Sequence, residues 1–122
     1  MRNKTILFVD DSASIRALVK MILEEAGYNV LMSEDGQDAM KFSDGQPIDL
    51  VITDLHMPRM NGIELIKKVR KIKDYRFVPI LFLTTETKPE LKQEAKAAGA
   101  TGWITKPFDK NKFLLVIKKV IR

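Results

Sequence analysis

Short runs of hydrophobic residues alternate along this chain with longer stretches in which apolar positions recur every three or four residues. Three of the runs are continuously apolar and rich in branched and aromatic residues: Thr5–Val9 (TILFV), Leu50–Thr53 (LVIT) and Ile80–Thr84 (ILFLT). Such runs are typical of strands that are buried on both faces of a parallel sheet. Residues 30–32 and Gly102–Thr105 form weaker runs, which indicate strands at the edges of that sheet.

The periodic stretches between these runs predict amphipathic helices. Their apolar stripes are Ile15, Leu18, Val19, Ile22, Leu23 and Ala26; Ile63, Ile66, Val69 and Ile72; Leu91, Ala95 and Ala98; and Phe113, Val116, Ile117, Val120 and Ile121. Asn61 is suited to cap the start of a helix, Pro89 suits a first helical turn, and Gly27 and Gly99 suit helix ends. The segment 37–43 has the poorest pattern of the five, and we predict a helix there as well.

The order of these segments predicts the fold class. Five strand–helix units in succession indicate an α/β domain, with a parallel sheet covered by helices on both faces and right-handed crossovers. The length of 122 residues is typical of one domain, and no linker interrupts the pattern. We therefore expect residues 1–122 to form a single domain without a separate effector domain.

Composition narrows the class of protein. The chain has no cysteine, which excludes disulfides and thiolate metal sites. The first apolar run is short and ends in two aspartates, unlike a signal peptide, and no apolar stretch approaches the length of a membrane span. These features predict a cytoplasmic protein that does not associate with membranes.

The net charge of +5 is concentrated in two segments. One contains Lys67, Lys68, Arg70, Lys71 and Lys73, and the other contains Lys110, Lys112, Lys118, Lys119 and Arg122. Basic clusters can contact nucleic acid. Both clusters, however, fall on the polar sides of predicted helices and contain few aromatic residues, so we interpret them as solvated helix faces. An acidic protein partner is also compatible with this charge.

The candidate chemistry lies where the predicted strands end, because ligands of open parallel sheets bind outside the carboxyl ends of the strands. The polar residues at those ends are Asp10, Asp11, Asp54, Thr84, Thr85 and Lys106. Clustered carboxylates need a compensating cation, and oxygen ligands without histidine or cysteine side chains suit Mg²⁺. A divalent cation, a lysine, a hydroxyl and a free carboxylate together can receive a phosphoryl group.

This constellation resembles the receiver domain of two-component response regulators over the whole chain. The matching residues are Asp10-Asp11, Asp54 within TDLHMPRMNG, Thr84 and Lys106-Pro107-Phe108. The ending WITKPF and the expected absence of an effector domain are most similar to single-domain chemotaxis regulators of the CheY type. The resemblance supplies the flavodoxin-like strand order 2-1-3-4-5, for which CheY is itself a standard example.

The resemblance also implies a role for each residue. Asp54 is the phosphoacceptor; Asp11, Asp54 and the backbone carbonyl of His56 hold Mg²⁺ directly, with Asp10 helping through water. Lys106 pairs with the phosphoryl oxygens, while Thr84 and Trp103 form the switch. The Lys106–Pro107 bond is expected to be cis.

The partners implied are a chemotaxis-type histidine kinase, a flagellar motor switch protein or similar target, and a phosphatase as a further candidate. We expect a monomer that catalyses only its own phosphorylation and dephosphorylation in a phosphorelay.

Plainer interpretations remain open for several of these residues. Asp10-Asp11 alone could begin a helix, Thr84 could be an ordinary strand residue, and Trp103 could simply pack on an edge strand.

The residues flanking the phosphoryl site in the family, here His56 and Glu86, tune how long the phosphate lasts. Two other functions compete with the switch: an aspartate-nucleophile phosphohydrolase, and the isolated receiver of a DNA-binding regulator.

Overall fold

The computed structural model describes residues 3–42 and 45–121. Five strands alternate with five helices: β1 (Thr5–Val9), α1 (Ala13–Glu25), β2 (Asn29–Ser33), α2 (Gly36–Ala39), β3 (Leu50–Thr53), α3 (Gly62–Arg70), β4 (Ile80–Thr84), α4 (Pro89–Ala98), β5 (Gly102–Thr105) and α5 (Lys110–Val120). Two single 3₁₀ turns, Met40–Phe42 and Lys73–Tyr75, lie in the connections. The alternating α/β pattern read from the sequence is confirmed.

All strand pairs in the sheet are parallel, and their order is β2-β1-β3-β4-β5. The two weaker apolar runs form the edge strands β2 and β5, whereas the three strongest runs form the interior. Register places Val9 opposite Thr53 and Thr84 opposite Thr105, so the carboxyl ends of neighbouring strands lie side by side. The polar residues that follow these strands therefore share one edge of the sheet.

Successive residues of the central strands point to opposite faces, and each face has its own core. Leu7 and Val9 of β1 lie in a cluster that includes Ile66 of α3 and Ala95 of α4. The alternate residues Ile6 and Phe8 lie in a second cluster, with α1 and α5: it includes Val19, Ile22, Leu23, Phe113 and Ile117. Burying each large apolar side chain stabilises the fold by about 1.5–3 kcal/mol, which explains why the interior strands are apolar apart from threonines at their ends.

The predicted helix signals are present where the sequence places them. Asn61 caps α3 in a reciprocal capping box with Glu64. Pro89 begins α4, and Gly99 ends it in the left-handed conformation, with φ 114°. These local signals fix where α3 and α4 begin and end, and thus how the loops before them reach the carboxyl edge.

The weakest predicted helix differs from its prediction. The segment 37–43 was expected to be one helix, but α2 begins at Gly36, ends at Ala39 and continues as a 3₁₀ turn to Phe42; Ser43 lies outside the described residues. The burial pattern explains why the helix is short. Gly36 and Ala39 are the buried residues of α2, and they are not followed by a long stripe of buried apolar residues.

The basic clusters are largely solvent-exposed, as predicted, with one exception. Arg70 donates to the carbonyls of Tyr75, Arg76, Val78 and Gly99, and burial lowers the pKa of its guanidinium. It therefore ties the end of α3 to the turns around it. Arg122 of the second cluster lies outside the described residues. Within the described part of the chain, no helix has the length and hydrophobicity required to cross a membrane.

Candidate functional site

Main-chain hydrogen bonds bring the predicted site residues to one edge of the sheet. The Asp54 amide donates to the Val9 carbonyl at 2.8 Å, which places the end of β3 beside the end of β1. The Lys106 amide donates to the Thr84 carbonyl at 2.8 Å, which does the same for β4 and β5. The Lys106–Pro107 peptide bond is cis, as expected.

Three acidic side chains cluster at this edge. Each of Asp10, Asp11 and Asp54 offers a carboxylate oxygen, and these oxygens lie within 4.8 Å of one another. Lys106 reaches two of the three acids, with its Nζ 2.7 Å from Asp10 Oδ2 and 3.3 Å from Asp54 Oδ2. The ammonium thus compensates part of the negative charge that the cluster concentrates.

The electrostatics of Lys106 follow from this position. Partial burial lowers its pKa, but the hydrogen bond that it donates to Asp10 and the negative charges of Asp54 and Asp10 outweigh burial and raise the pKa above its usual value. Lys106 is therefore held as a cation beside the acids throughout the neutral range. A fixed positive charge at this point suits an incoming phosphoryl group.

The three acids differ in how far solvent can reach them. Asp10 is fully buried, and its second oxygen accepts the Ser12 amide at 2.9 Å. Asp11 is exposed, whereas the Asp54 side chain retains 13% exposure. Asp54 Oδ1 accepts the amide of Leu55 at 2.7 Å, which orients the carboxylate. Asp11 and Asp54 are thus open to a ligand, while Asp10 is mostly satisfied by internal contacts.

The donor set fits Mg²⁺. The cluster offers hard carboxylate oxygens, contains no cysteine or histidine side chain, and leaves two of its acids accessible to water. Mg²⁺ is usually held by one or two carboxylates and several waters, with phosphate oxygens completing the shell. The side chains found here match that chemistry.

The loop after β3 contacts the loop after β4 through a side-chain hydrogen bond. His56 Nε2 lies 2.8 Å from Glu86 Oε1, and the His56 side chain remains 63% exposed. Glu86 Oε2 accepts the amides of Thr87 and Lys88. The hydrogen bond with His56, followed by that from the Lys88 amide, lowers the pKa of the Glu86 carboxyl.

The two predicted switch residues lie on either side of Glu86. The buried Thr84 hydroxyl accepts the Glu86 amide at 3.2 Å, and the indole N–H of Trp103 donates to the Glu86 carbonyl at 3.1 Å. Trp103 also packs on Phe82, with ring centroids 5.2 Å apart. The main chain of Glu86 therefore connects the hydroxyl at the end of β4 with the aromatic ring on β5.

Several contacts around the site were not predicted from the sequence. Arg16 donates to the Asp10 carbonyl at 2.7 Å, and Arg59 bonds the buried carboxylate of Asp35 at 2.6 Å through Nη2. The sequence also did not predict that Glu86 contacts His56, Thr84 and Trp103, although it places Glu86 beside the site. Nothing in the local sequence pairs residues 35 and 59, since such contacts depend on how two loops meet in space.

Comparisons with known proteins agree with this architecture. The family described as the response regulator receiver domain matches residues 6–118. The chemotaxis protein CheY-3 of Vibrio cholerae is 39% identical over 108 residues, covering 88% of this chain and 83% of CheY-3. The solved structure of V. cholerae CheY4 is 46% identical, covers 98% of this chain and 100% of that one, and superposes with a TM-score of 0.94.

Receivers within longer proteins are also similar. The alkaline phosphatase synthesis regulator PhoP of Bacillus subtilis is 36% identical over 98% of this chain, which corresponds to 49% of PhoP. With acids, threonine and lysine at the carboxyl ends of strands in a 2-1-3-4-5 sheet, and with these relatives, the chain belongs to the response regulator receiver domain family and is homologous to CheY-type chemotaxis proteins.

Proposed function

We propose that this chain accepts a phosphoryl group on Asp54 from a histidine kinase in an Mg²⁺-dependent reaction. The observation that carries the proposal is the contact of Lys106 with both Asp10 and Asp54, next to the exposed Asp11. It joins an accessible carboxylate, a fixed cation and a set of metal ligands at one point. Asp11, Asp54 and the His56 carbonyl are the proposed metal ligands, and Asp10 acts through water.

The reaction follows from the charges. A carboxylate oxygen of Asp54 attacks phosphorus, the bond from phosphorus to the donor histidine nitrogen breaks, and that nitrogen keeps the electron pair. A bound Mg²⁺ neutralises charge on the phosphoryl oxygens and on the acids. Lys106 pairs with one phosphoryl oxygen, and the Leu55 amide holds the carboxylate in place. Receivers of the CheY type are in general non-catalytic signalling proteins, and we propose that this one catalyses only its own phosphorylation and dephosphorylation.

Switching is proposed to pass through Thr84 and Trp103. A phosphoryl group on Asp54 adds about 1.5–2 negative charges, by analogy with phosphoserine, and gives the Thr84 hydroxyl a stronger partner than the Glu86 amide. Movement of Thr84 away from Glu86 would loosen the carbonyl that holds the Trp103 indole. The surface of α4, β5 and α5 would then change for a partner.

The experiment uses a radiolabelled acyl phosphate with Mg²⁺. The wild type is expected to incorporate label, and Asp54→Asn and Lys106→Ala are expected to lose it while keeping a folded circular dichroism spectrum. Asp74→Asn removes an exposed acid remote from the carboxyl edge and serves as the matched control, with labelling unchanged. Undiminished labelling of Asp54→Asn would refute the assignment, and turnover of a generic phosphate ester would favour the phosphohydrolase instead.

The biological role follows as a further proposal. Relatives named as chemotaxis proteins support a chemotaxis histidine kinase as the donor and a flagellar motor switch protein or similar target as the receiver of the signal. We propose that residues 1–122 act as one cytoplasmic, monomeric domain. Capture of a motor switch component only in the presence of beryllofluoride would support this role, and equal capture in its absence would count against it.

A further inference from the structure

The loop that follows the phosphoacceptor contains an unusual turn. Residues 55–61 lie between Asp54 and the start of α3, and we call this segment the acceptor loop. Arg59 has a positive φ of 66°, and the Met60 amide donates to the Pro58 carbonyl at 2.7 Å. A bond that spans one intervening residue at positive φ is a γ-turn of the rare, strained kind. Residues other than glycine persist in such conformations only where surrounding contacts hold them.

The contact that holds this turn is an ion pair with a buried acid. Arg59 directs both Nε and Nη2 at Asp35 Oδ2, at 2.8 Å and 2.6 Å. The other oxygen of Asp35 accepts the Asp38 amide at 2.8 Å as the N-cap of α2. The Asp35 side chain is only 3% exposed, so its charge is compensated by these two partners. One carboxylate thus fixes both the start of α2 and the turn in the acceptor loop.

The neighbouring residues extend this contact. The Gly36 amide donates to the Met60 carbonyl at 3.3 Å. A Cβ at Gly36 would lie 2.8 Å from that carbonyl oxygen and 2.9 Å from Met60 Cγ, so the two segments meet as closely as glycine permits. At its base, the loop is closed by the Gly62 amide, which donates to the Leu55 carbonyl at 2.8 Å. The acceptor loop is therefore fastened on both sides of its centre.

We propose that the Asp35–Arg59 pair, which we call the clamp, is a positioning device for the cation site. The clamp holds the Arg59 turn and so fixes the main chain at His56, three residues earlier, whose carbonyl is a proposed metal ligand. This inference rests on the proposed Mg²⁺ site. Outer contacts that orient metal ligands commonly change affinity by 10–100-fold when they are removed.

Electrostatics alone predicts the opposite result for Arg59. Removing a positive charge from a loop that carries a metal ligand reduces repulsion and should strengthen cation binding. Loss of positioning should weaken it. The direction of the change in Mg²⁺ affinity for Arg59→Ala therefore separates the two explanations without any need for a precise magnitude.

The test is a titration of the full chain with Mg²⁺. Binding is measured by calorimetry and by the fluorescence of Trp103, the single tryptophan. Arg59→Ala is expected to weaken Mg²⁺ binding roughly tenfold. Arg59→Asn is expected to recover part of that loss, because asparagine tolerates positive φ. Asp35→Asn keeps a capping side chain but loses the charge, and the double variant should be no weaker than Arg59→Ala alone.

The matched control is Lys41→Ala, which removes a lysine paired with Asp38 of α2 and leaves the acceptor loop untouched. Its Mg²⁺ affinity should not fall. Amide hydrogen exchange at His56, Met57 and Met60 in Mg²⁺-free protein should accelerate in Arg59→Ala and not in this control. If the wild type binds no Mg²⁺, both the metal site and the role of the clamp are wrong. If the wild type binds but Arg59→Ala binds equally well or more tightly, the clamp alone is wrong.

Discussion

The acceptor loop has a closed side and an open side, and the two are built differently. On the closed side, Arg59 and Met60 meet Asp35 and Gly36 through a buried carboxylate and a contact with no space for a Cβ. On the open side, the loop is joined to Glu86 through a histidine that is 63% exposed. On both sides an exposed nitrogen-bearing side chain meets a carboxylate, with Arg59 51% and His56 63% exposed. The carboxylate itself is less exposed on the closed side, where Asp35 is 3% exposed, than on the open side, where Glu86 is 13% exposed.

This difference indicates where a two-state change can occur. Regions with few buried contacts and solvent-exposed hydrogen bonds open at low free-energy cost, and switching elements are drawn from them. Thr84, Glu86 and Trp103 all lie on the open side and share hydrogen bonds through one main-chain segment. We propose that this segment moves in the switch while the contacts of the closed side stay in place.

The largest expected effect comes from filling the closed side. Gly36→Ala would normally stabilise a helix by up to about 1 kcal/mol. Here the added methyl would press on Met60, and we expect instead a loss of about 1–3 kcal/mol in the free energy of unfolding. Urea denaturation followed by circular dichroism measures this, with the exposed neighbour Gln37→Ala as the control. A Gly36→Ala protein as stable as the wild type would mean that Met60 yields easily and that this side is not closed.

A smaller effect on the free energy of unfolding is expected from the charge of Asp35, and this effect should depend on pH. The hydrogen bond from the Asp38 amide, and then those from Arg59, lower the pKa of the Asp35 carboxyl despite its burial. A lowered pKa stabilises the folded state above the unfolded value of about 3.9 and stops doing so as the pH falls through the lower folded value. The urea midpoint of Asp35→Asn should thus lie below that of the wild type at pH 7.

The gap between these two midpoints should narrow as the pH falls below about 4. Asp109→Asn, at the exposed N-cap of α5, is the control for capping alone. A gap that stays constant down to the acid transition would show that the charge of Asp35 contributes nothing on the closed side.

The sequence predicts the strands and the residues at their carboxyl ends better than the contacts of the closed side, for a physical reason. The interior strands are buried on both faces, so most of their residues are apolar and are readable as runs. Asp54 directly follows such a run, Thr84 is the last residue of another, and Lys106 follows the weaker run of the edge strand β5. Register of a parallel sheet then brings the residues together without any further information. The family resemblance added the roles, the strand order and the cis bond.

No comparable sequence pattern predicts the clamp or the length of α2. Asp35 and Arg59 are separated by 24 residues and lie in loops, where neither periodicity nor propensity constrains the contact. The segment 37–43 has too few buried positions to show how far a helix extends, and the structure ends α2 at Ala39. Contacts between loops are fixed by how the layers pack, and the sequence alone gives no pattern for them.

The smallest expected effect on stability lies on the open side and tests the comparison directly. In Glu86→Ala both carboxylate oxygens are lost, so the side chain can neither bind His56 nor accept the amides of Thr87 and Lys88. Because this pair is exposed to water and salt, the urea midpoint should not change measurably. Amide hydrogen exchange should nevertheless accelerate at Thr87 and Lys88, while the Asp38 amide, held by Asp35 on the closed side, should exchange as in the wild type. Equal acceleration at all three amides would mean that the two sides move together, and the distinction between a fixed and a movable side would then be wrong.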